Sequence, residues 1–375
     1  MNKYLAVLGN TPELSALELI TLYNNITWQH GSIAQLDTLP DIDQLGGTIK
    51  TAKIIGQIDR SLAGIEQLKD YLAQLQLPDK KLHFGFSVYA ADNQVTPEVV
   101  THYAKKIKPI GIAWKKDLRV NGSVRLVESL EPALSSVIVK KEHLLDQQTD
   151  FIIAIYKKHI ILGQTLTVQP FEEYAQRDYG RPQRDHFSGM LPPKVAKMMV
   201  NIVQPQPAET LLDPFCGSGT VLQEALLLGH KNIIGSDISK KCIEDSANNL
   251  AWLKLPNVPL HLSDILQLSN ILPVNSINCI VSEGYLGPVH PNKTEKIHRQ
   301  LTKFYQDVFT VLPKLLAPNA RLVIALPAWR RFDGMLTLPL QNVLQQNHFE
   351  PFHEPIFYGR AHAQVVRHIY FLRYN

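Results

Sequence analysis

Cysteine is scarce: Cys216, Cys242 and Cys279 are the only three, and no two form a C-x-x-C pair. That excludes a disulfide frame and points to a reducing compartment, so a cytoplasmic location is expected. Long apolar runs are missing too. "FIIAIY" and "LVIALPAW" fall far short of the roughly 20 residues a spanning helix needs, so no membrane partner is expected. The start, "MNKYLAVLGNTPELSALEL", has one early Lys and soon meets acids, so it reads as a strand and helix rather than a signal peptide. The 14 histidines are scattered without ligand spacing, and no metal is expected. Neither G-x-G-x-x-G nor G-x-x-x-x-G-K-[ST] occurs, which removes the dinucleotide and phosphate-loop fingerprints.

What remains is an ordinary soluble balance, 45% apolar and 19% charged, and 375 residues suit two or three domains. The net charge of +4 is too mild to demand a nucleic-acid partner, but it is unevenly spread. Residues 1–80 carry six Lys/Arg against nine acids, and residues 81–165 carry twelve against eight. Lys105, Lys106, Lys108, Lys115, Lys116, Arg119 and Arg125 alternate with apolar residues in the densest stretch. A phosphate-contacting face and a merely solvated helix face both fit that pattern.

The front third reads as α+β. "KYLAVLG" and the alternating "KLHFGFSVYA" suit strands, and "PELSALELITLYN" suits a helix capped by Thr11 and Pro12. "TPEVVTHYAKKIKPIG" suits a helix ended by Pro109–Ile110–Gly111. "SVRLVES" and "FIIAIYKKHIILGQTL" suit further strands, the second a hairpin turning at Lys157–Lys158–His159. Residues 166–190 are polar with Gly180, Pro182 and Gly189, and read as a linker. From Leu191 to residue 375, helix and strand patterns alternate, which predicts an α/β domain with a mostly parallel, Rossmann-like sheet. Ligands in such sheets sit beyond the carboxyl ends of the strands.

"LLDPFCGSGTVLQEAL" then gives the strongest signal. A strand ends in Asp213, and Phe215, Cys216, Gly217, Ser218, Gly219 and Thr220 form a Gly-rich turn opening a helix. An acid before the glycines suits the cationic amino group of an amino acid better than a pyrophosphate. The next strand ends at Asp237–Ile238, where a carboxylate can accept from ribose hydroxyls. A third ends at Ser263–Asp264, where it can accept from an adenine amino group. Three strand-end acids beside a Gly-rich turn describe S-adenosylmethionine, which is cationic and has no phosphate. Three capping Asp residues in ordinary turns are the plainer alternative.

"DPFCGSGT", "GSDIS" and "RDYGRPQRDHFSGMLPPKVAKMMVNI" together resemble the RNA guanine-N2 methyltransferases that carry a THUMP domain, in particular the archaeal and eukaryotic enzymes acting on tRNA guanine 10. "YLAVLGNTPELSALEL", "SVRLVESLEPALSSVIVKKEHLL" and "FYGRAHAQVVRHIYFL" carry the likeness across most of the chain. The resemblance implies a ferredoxin-like part at 1–80, a THUMP RNA-binding part at 81–165, a linker at 166–190 and a methyltransferase domain at 191–375. It also implies tRNA as partner and S-adenosylmethionine as cofactor. Met190 and Leu191 would then pack over the methionine end. Lys105, Lys106, Lys115, Lys116, Arg119, Arg125, Arg181 and Arg330 become candidate RNA contacts.

In such enzymes the fourth strand ends near [D/N]-P-P-[Y/F]. The acid or amide accepts from the target amine, and the ring stacks on the flipped base. Here the stretch reads Ser282–Glu283–Gly284–Tyr285–Leu286–Gly287. One register puts Ser282 at the acceptor position, and the other puts Glu283 there. Glu283 as acceptor with Tyr285 as the stacking ring is the favoured pairing, a glycine turn with Tyr285 packed on the core being the plain alternative. The leading reading is a tRNA guanine-N2 methyltransferase. A DNA or rRNA amino-methyltransferase, or a donor-binding but silent RNA-binding protein, are the competing readings.

Overall fold

The computed structural model describes residues 3–74, 81–118, 123–184, 190–288 and 294–375. Arg119 and the linker residues 185–189 lie outside them. The chain divides into two compact units, Met1–Phe171 and Glu172–Asn375.

The first unit contains β1 (Tyr4–Leu8), α1 (Pro12–Leu22), β2 (Thr27–Trp28), β3 (Ile33–Leu36), β4 (Thr48–Asp59) and α2 (Leu62–Ala73). It continues with β5 (Leu82–Ala90), α3 (Pro97–Leu118), β6 (Val124–Val127), α4 (Ser136–Lys141), β7 (Asp150–Ile155) and β8 (His159–Val168). All eight strands share one sheet in the order β2-β3-β1-β4-β8-β7-β5-β6. The parts anticipated as 1–80 and 81–165 are therefore stitched together, chiefly by the long antiparallel β4–β8 pairing. Burying each Leu, Ile or Phe of its core, such as Phe84, Ile107 and Phe151, contributes ~1.5–3 kcal/mol.

Two expectations change here. Helix α3 does not stop at Pro109 but runs through it to Leu118. A proline inside a helix removes one backbone hydrogen bond, yet here the buried face Tyr103, Ile107, Ile110, Gly111 and Trp114 continues past it. A side chain at Gly111 would lie 2.9 Å from the Phe86 ring, so the glycine serves close packing rather than a stop. Residues 166–190 are likewise no extended linker throughout. Residues 166–168 finish β8, α5 spans Phe171–Ala175, and a wide helical turn covers Gln176–Gly180.

The second unit contains α6 (Pro193–Val203), β9 (Leu211–Asp213), α7 (Thr220–Leu227), β10 (Ile233–Asp237), α8 (Lys240–Trp252), β11 (Leu260–Leu262) and β12 (Ile277–Glu283). It ends with α9 (Thr294–Val311), β13 (Leu316–Arg331), β14 (Gly334–Leu336), α10 (Gln341–Gln346), β15 (Phe349–Tyr358) and β16 (Val365–Tyr374). The sheet order is β11-β10-β9-β12-β13-β16-β15, with β14 paired to β13. The first five strands are parallel, and β16 runs antiparallel to both its neighbours, β13 and β15, so that β15 resumes the common direction. The chain builds outward from β9 to β11 and then returns to the other side of β9 as β12. That reversal leaves a crevice at the carboxyl ends of β9 and β12. The core beneath it joins Ile280, Leu322 and Ile324 of the sheet to Leu301, Tyr305 and Phe309 of α9.

Candidate functional site

A cavity of about 660 Å³ opens at this crevice, within the usual size of small-molecule sites. Its walls include Met190, Leu191, Asp213, Phe215, Cys216, Gly217, Ser218, Thr220, Asp237, Ile238, Ser263, Asp264, Glu283 and Tyr285. Gly219 is not on the wall. It begins α7 in the left-handed region at φ 84°, and a Cβ there would come within 3.1 Å of Ser246 Oγ. The turn needs a glycine for shape at Gly219 and for openness at Gly217, whose φ is 52° and whose absent side chain would meet nothing closer than 4.0 Å.

The acids differ in how fully the protein satisfies them. Asp213 is buried, and Oδ1 accepts from Ser282 Oγ at 2.5 Å and from the Phe215 N–H at 3.2 Å. Its Oδ2 has no donor among the described residues. Burial, together with the nearby Asp237 and Glu283 carboxylates, pushes the Asp213 carboxyl up to about 7. Asp237 accepts once on each oxygen, from the Gly217 and Ser239 N–H groups at 3.0 and 2.8 Å. A second lone pair stays open on each. Asp264 caps the following turn through Oδ1, from the Leu266 N–H at 3.0 Å. The Cys216 thiol is pushed up by burial, which leaves it inert as a nucleophile.

At the end of β12 the side chains settle the register of Ser282. It is fully buried and turned onto Asp213, so it belongs to the sheet. Glu283 faces the cavity and forms an ion pair with Arg367 of β16. Gly284 lies so close to Tyr305 that a Cβ would come within 2.3 Å of its hydroxyl, which in turn donates to the Tyr285 carbonyl at 2.8 Å. The Tyr285 ring is 55% exposed at the cavity mouth rather than packed in the core.

The basic candidates separate. Helical spacing places Lys105, Lys108 and Lys116 on the side of α3 away from its buried face, with the half-buried Lys106 and Lys115 at its flanks. Arg125 is exposed but pairs with Glu142 at 3.1 Å. Arg330 is exposed where β13 runs past the sheet toward β14. Arg181 corrects its expected role as an RNA contact. It is 3% exposed and donates to Thr220 Oγ1 at 2.7 Å beneath the Gly-rich turn. Arg177 is buried as well, on Glu224 at 2.6 Å.

Arg367 was not found by sequence reasoning; its one signal is a charge inside the mostly apolar run "VVRHIYFL". Phe304, Cys242 and Asp245 also line the cavity without having been anticipated.

A family model described as a methyltransferase domain matches residues 205–352, and one described as a DNA methylase matches residues 81–248. The crystal structure of TrmN from Thermus thermophilus aligns over 100% of both chains, with a TM-score of 0.60 and 14% identity. The second unit has a methyltransferase fold. The structure of a possible methylase from Clostridium difficile 630 aligns over 100% of this chain and 98% of its own, with a TM-score of 0.55 and 14% identity. In sequence, a tRNA (guanine(10)-N2)-dimethyltransferase of Methanothermobacter thermautotrophicus is 28% identical over 202 residues, 50% of this chain and 59% of the relative. The chain thus spans little more than half of that relative's length. The protein of the same description from Methanocaldococcus jannaschii is 23% identical over 316 residues, 82% of this chain and 75% of the relative.

Proposed function

We propose that the protein is an S-adenosylmethionine-dependent RNA methyltransferase acting on N2 of a guanine in tRNA. The observation that carries this reading is one cavity holding a Gly-rich turn, three strand-end carboxylates, and Glu283 with an exposed Tyr285 at its mouth. The sequence relatives, described as tRNA guanine-N2 dimethyltransferases, supply the substrate.

The wall chemistry fits the donor. Asp213 Oδ2 lacks a partner among the described residues, and Asp237 keeps open lone pairs, so the cavity offers acceptors to a cationic, phosphate-free ligand. S-adenosylmethionine supplies an electrophilic methyl group on a sulfonium. Asp213 would hold the amino group, Asp237 the ribose hydroxyls and Asp264 the adenine amine. At the mouth, Glu283 accepts an N–H of the target amine and turns its lone pair out of conjugation. After transfer, the nitrogen's surplus proton passes to that carboxylate. Tyr285 stacks on the extruded base, a contact worth about 1–3 kcal/mol. Residues 1–171 fit as the RNA-gripping ferredoxin-like and THUMP part, with the lysine face of α3 toward phosphates.

The DNA methylase model over 81–248 motivates a second reading, amino-methylation of DNA. Incubation with S-adenosylmethionine and unmodified tRNA, rRNA and DNA, followed by nucleoside mass spectrometry, separates them. N2-methylguanosine in tRNA is expected, and N6-methyladenine as the sole product would overturn the guanine assignment.

A further inference from the structure

The Glu283–Arg367 pair deserves a role beyond an ordinary ion pair because of where it sits and how its valences are filled. Both side chains are largely buried, 16% and 14% exposed, at the carboxyl edge of the sheet. Arg367 Nε donates to Glu283 Oε1, and Arg367 Nη2 donates to the Met190 carbonyl at 3.1 Å. The Leu191 N–H also bonds to the Glu283 carboxylate. An ionised carboxylate has about four acceptor positions, so two of Glu283's are used by the protein and two stay open. Every one of them accepts, and none donates.

That polarity discriminates among bases. The Watson–Crick edge of guanine presents two adjacent donors, N1–H and N2–H. Adenine presents the N6–H donor beside the N1 acceptor, and cytosine the N4–H donor beside the N3 acceptor. A carboxylate answers both guanine donors, whereas it sets an acceptor against N1 of adenine or N3 of cytosine. An amide at the same place would answer the mixed edges instead.

We propose that Arg367 is a positioning residue that holds Glu283 as an open, acceptor-only carboxylate, and that this pair selects guanine over adenine and cytosine. The inference rests on the proposed function above and names the specificity determinant of that same site. Arg367 acts against its surroundings. The other groups facing Glu283 are Asp213 on β9, Tyr305 on α9 and Tyr358 on β15, all of which disfavour a second negative charge when ionised. Burial pushes the Glu283 carboxyl up, and Arg367 is the cation that opposes the shift.

The test uses the full chain, tRNA and three variants, with donor affinity measured by calorimetry. Arg367→Met should lower kcat by about 10²-fold while leaving the Kd for S-adenosylmethionine within about threefold. It should also move the acid limb of kcat/KM to higher pH, because Glu283 then ionises later. Arg367→Lys should restore part of the rate and part of the limb, an outcome that a purely structural role would not give. Glu283→Gln should lose N2-methylguanosine formation and raise the ratio of adenine or cytosine to guanine methylation in single-stranded oligonucleotides. An unchanged acid limb in both Arg367 variants, or an unchanged base ratio in Glu283→Gln, overturns the inference. Should Arg367→Met not fold, the neutral Arg367→Gln takes its place, and an acid limb identical to wild type in that variant refutes the pairing role. A wild-type protein that methylates no guanine refutes the proposed function itself, whereas guanine methylation indifferent to these variants refutes only the pair.

Discussion

Both units of the molecule bury charge, and they do it in opposite ways. In the first unit Lys50 and Asp150 are fully buried and paired at 2.7 Å. Asp150 also accepts from Ser87 Oγ and Thr165 Oγ1, each at 2.8 Å, while the Lys50 ammonium donates to Ser87 Oγ at 3.0 Å. Both carboxylate oxygens accept from protein donors, and the fully buried ammonium spends its hydrogen bonds on protein acceptors. In the second unit Asp213 has one oxygen with no donor among the described residues, and Glu283 keeps open positions toward a cavity. Burial of charge alone therefore says little about function. Unfilled valence beside a cavity says much more.

The largest effect should come from breaking the closed network. Lys50→Met strands the Asp150 carboxylate and should destabilise the protein by about 3–5 kcal/mol in thermal or denaturant unfolding, while the double change Lys50→Met with Asp150→Leu should recover most of that loss. A single variant as stable as wild type would show that the network is not closed as described.

Next comes the open side of the comparison. Asp213→Asn should weaken S-adenosylmethionine binding by about 10- to 100-fold, the effect of losing a hydrogen bond to a charged group. In the free protein the Asp213 carboxyl titrates at about 7, so it keeps its proton below that pH and must release it to accept a cation. Donor affinity should therefore rise with pH up to about 7 and flatten above it, and the Asn variant should show no such rise. The same shift means that Asp213 stabilises the ligand-free fold at low pH and loses this contribution as pH rises from 3.8 toward 7. Calorimetry across pH checks both.

A smaller effect is expected at Tyr285, whose ring serves no core. Tyr285→Ala should raise KM for RNA by an amount equivalent to about 1–3 kcal/mol without changing the melting temperature. The smallest concerns Lys105 and Lys116. Each Ala substitution should weaken RNA binding uniformly across sequences and reduce the salt slope by about 1.

Much of the second unit was legible because its signals are local. An acid at the end of each short apolar run, then Gly217 and Gly219, marks strand ends and a tight turn within a few residues. Helix α3 was misjudged because a single proline was weighed above an amphipathic face that carries on to Trp114. Arg181 was misread as a surface contact because nothing in its neighbours shows that Thr220, 39 residues on, would sit over its guanidinium. Arg367 lies 84 residues from Glu283 and reaches it through a strand that runs antiparallel to the rest. Only the assembled sheet brings the two together.

The turn at residues 284–287 after β12 holds no proline, yet it is tied down from two sides. The Gly284 N–H donates to the Ala325 carbonyl at 2.9 Å, and the buried Tyr305 hydroxyl holds the Tyr285 carbonyl. Its order is therefore borrowed from β13 and α9 rather than written into its own backbone. The Gly284 amide should exchange with solvent deuterium as slowly as the central strands do. Tyr305→Phe should quicken exchange across 284–287 while those strands keep their protection.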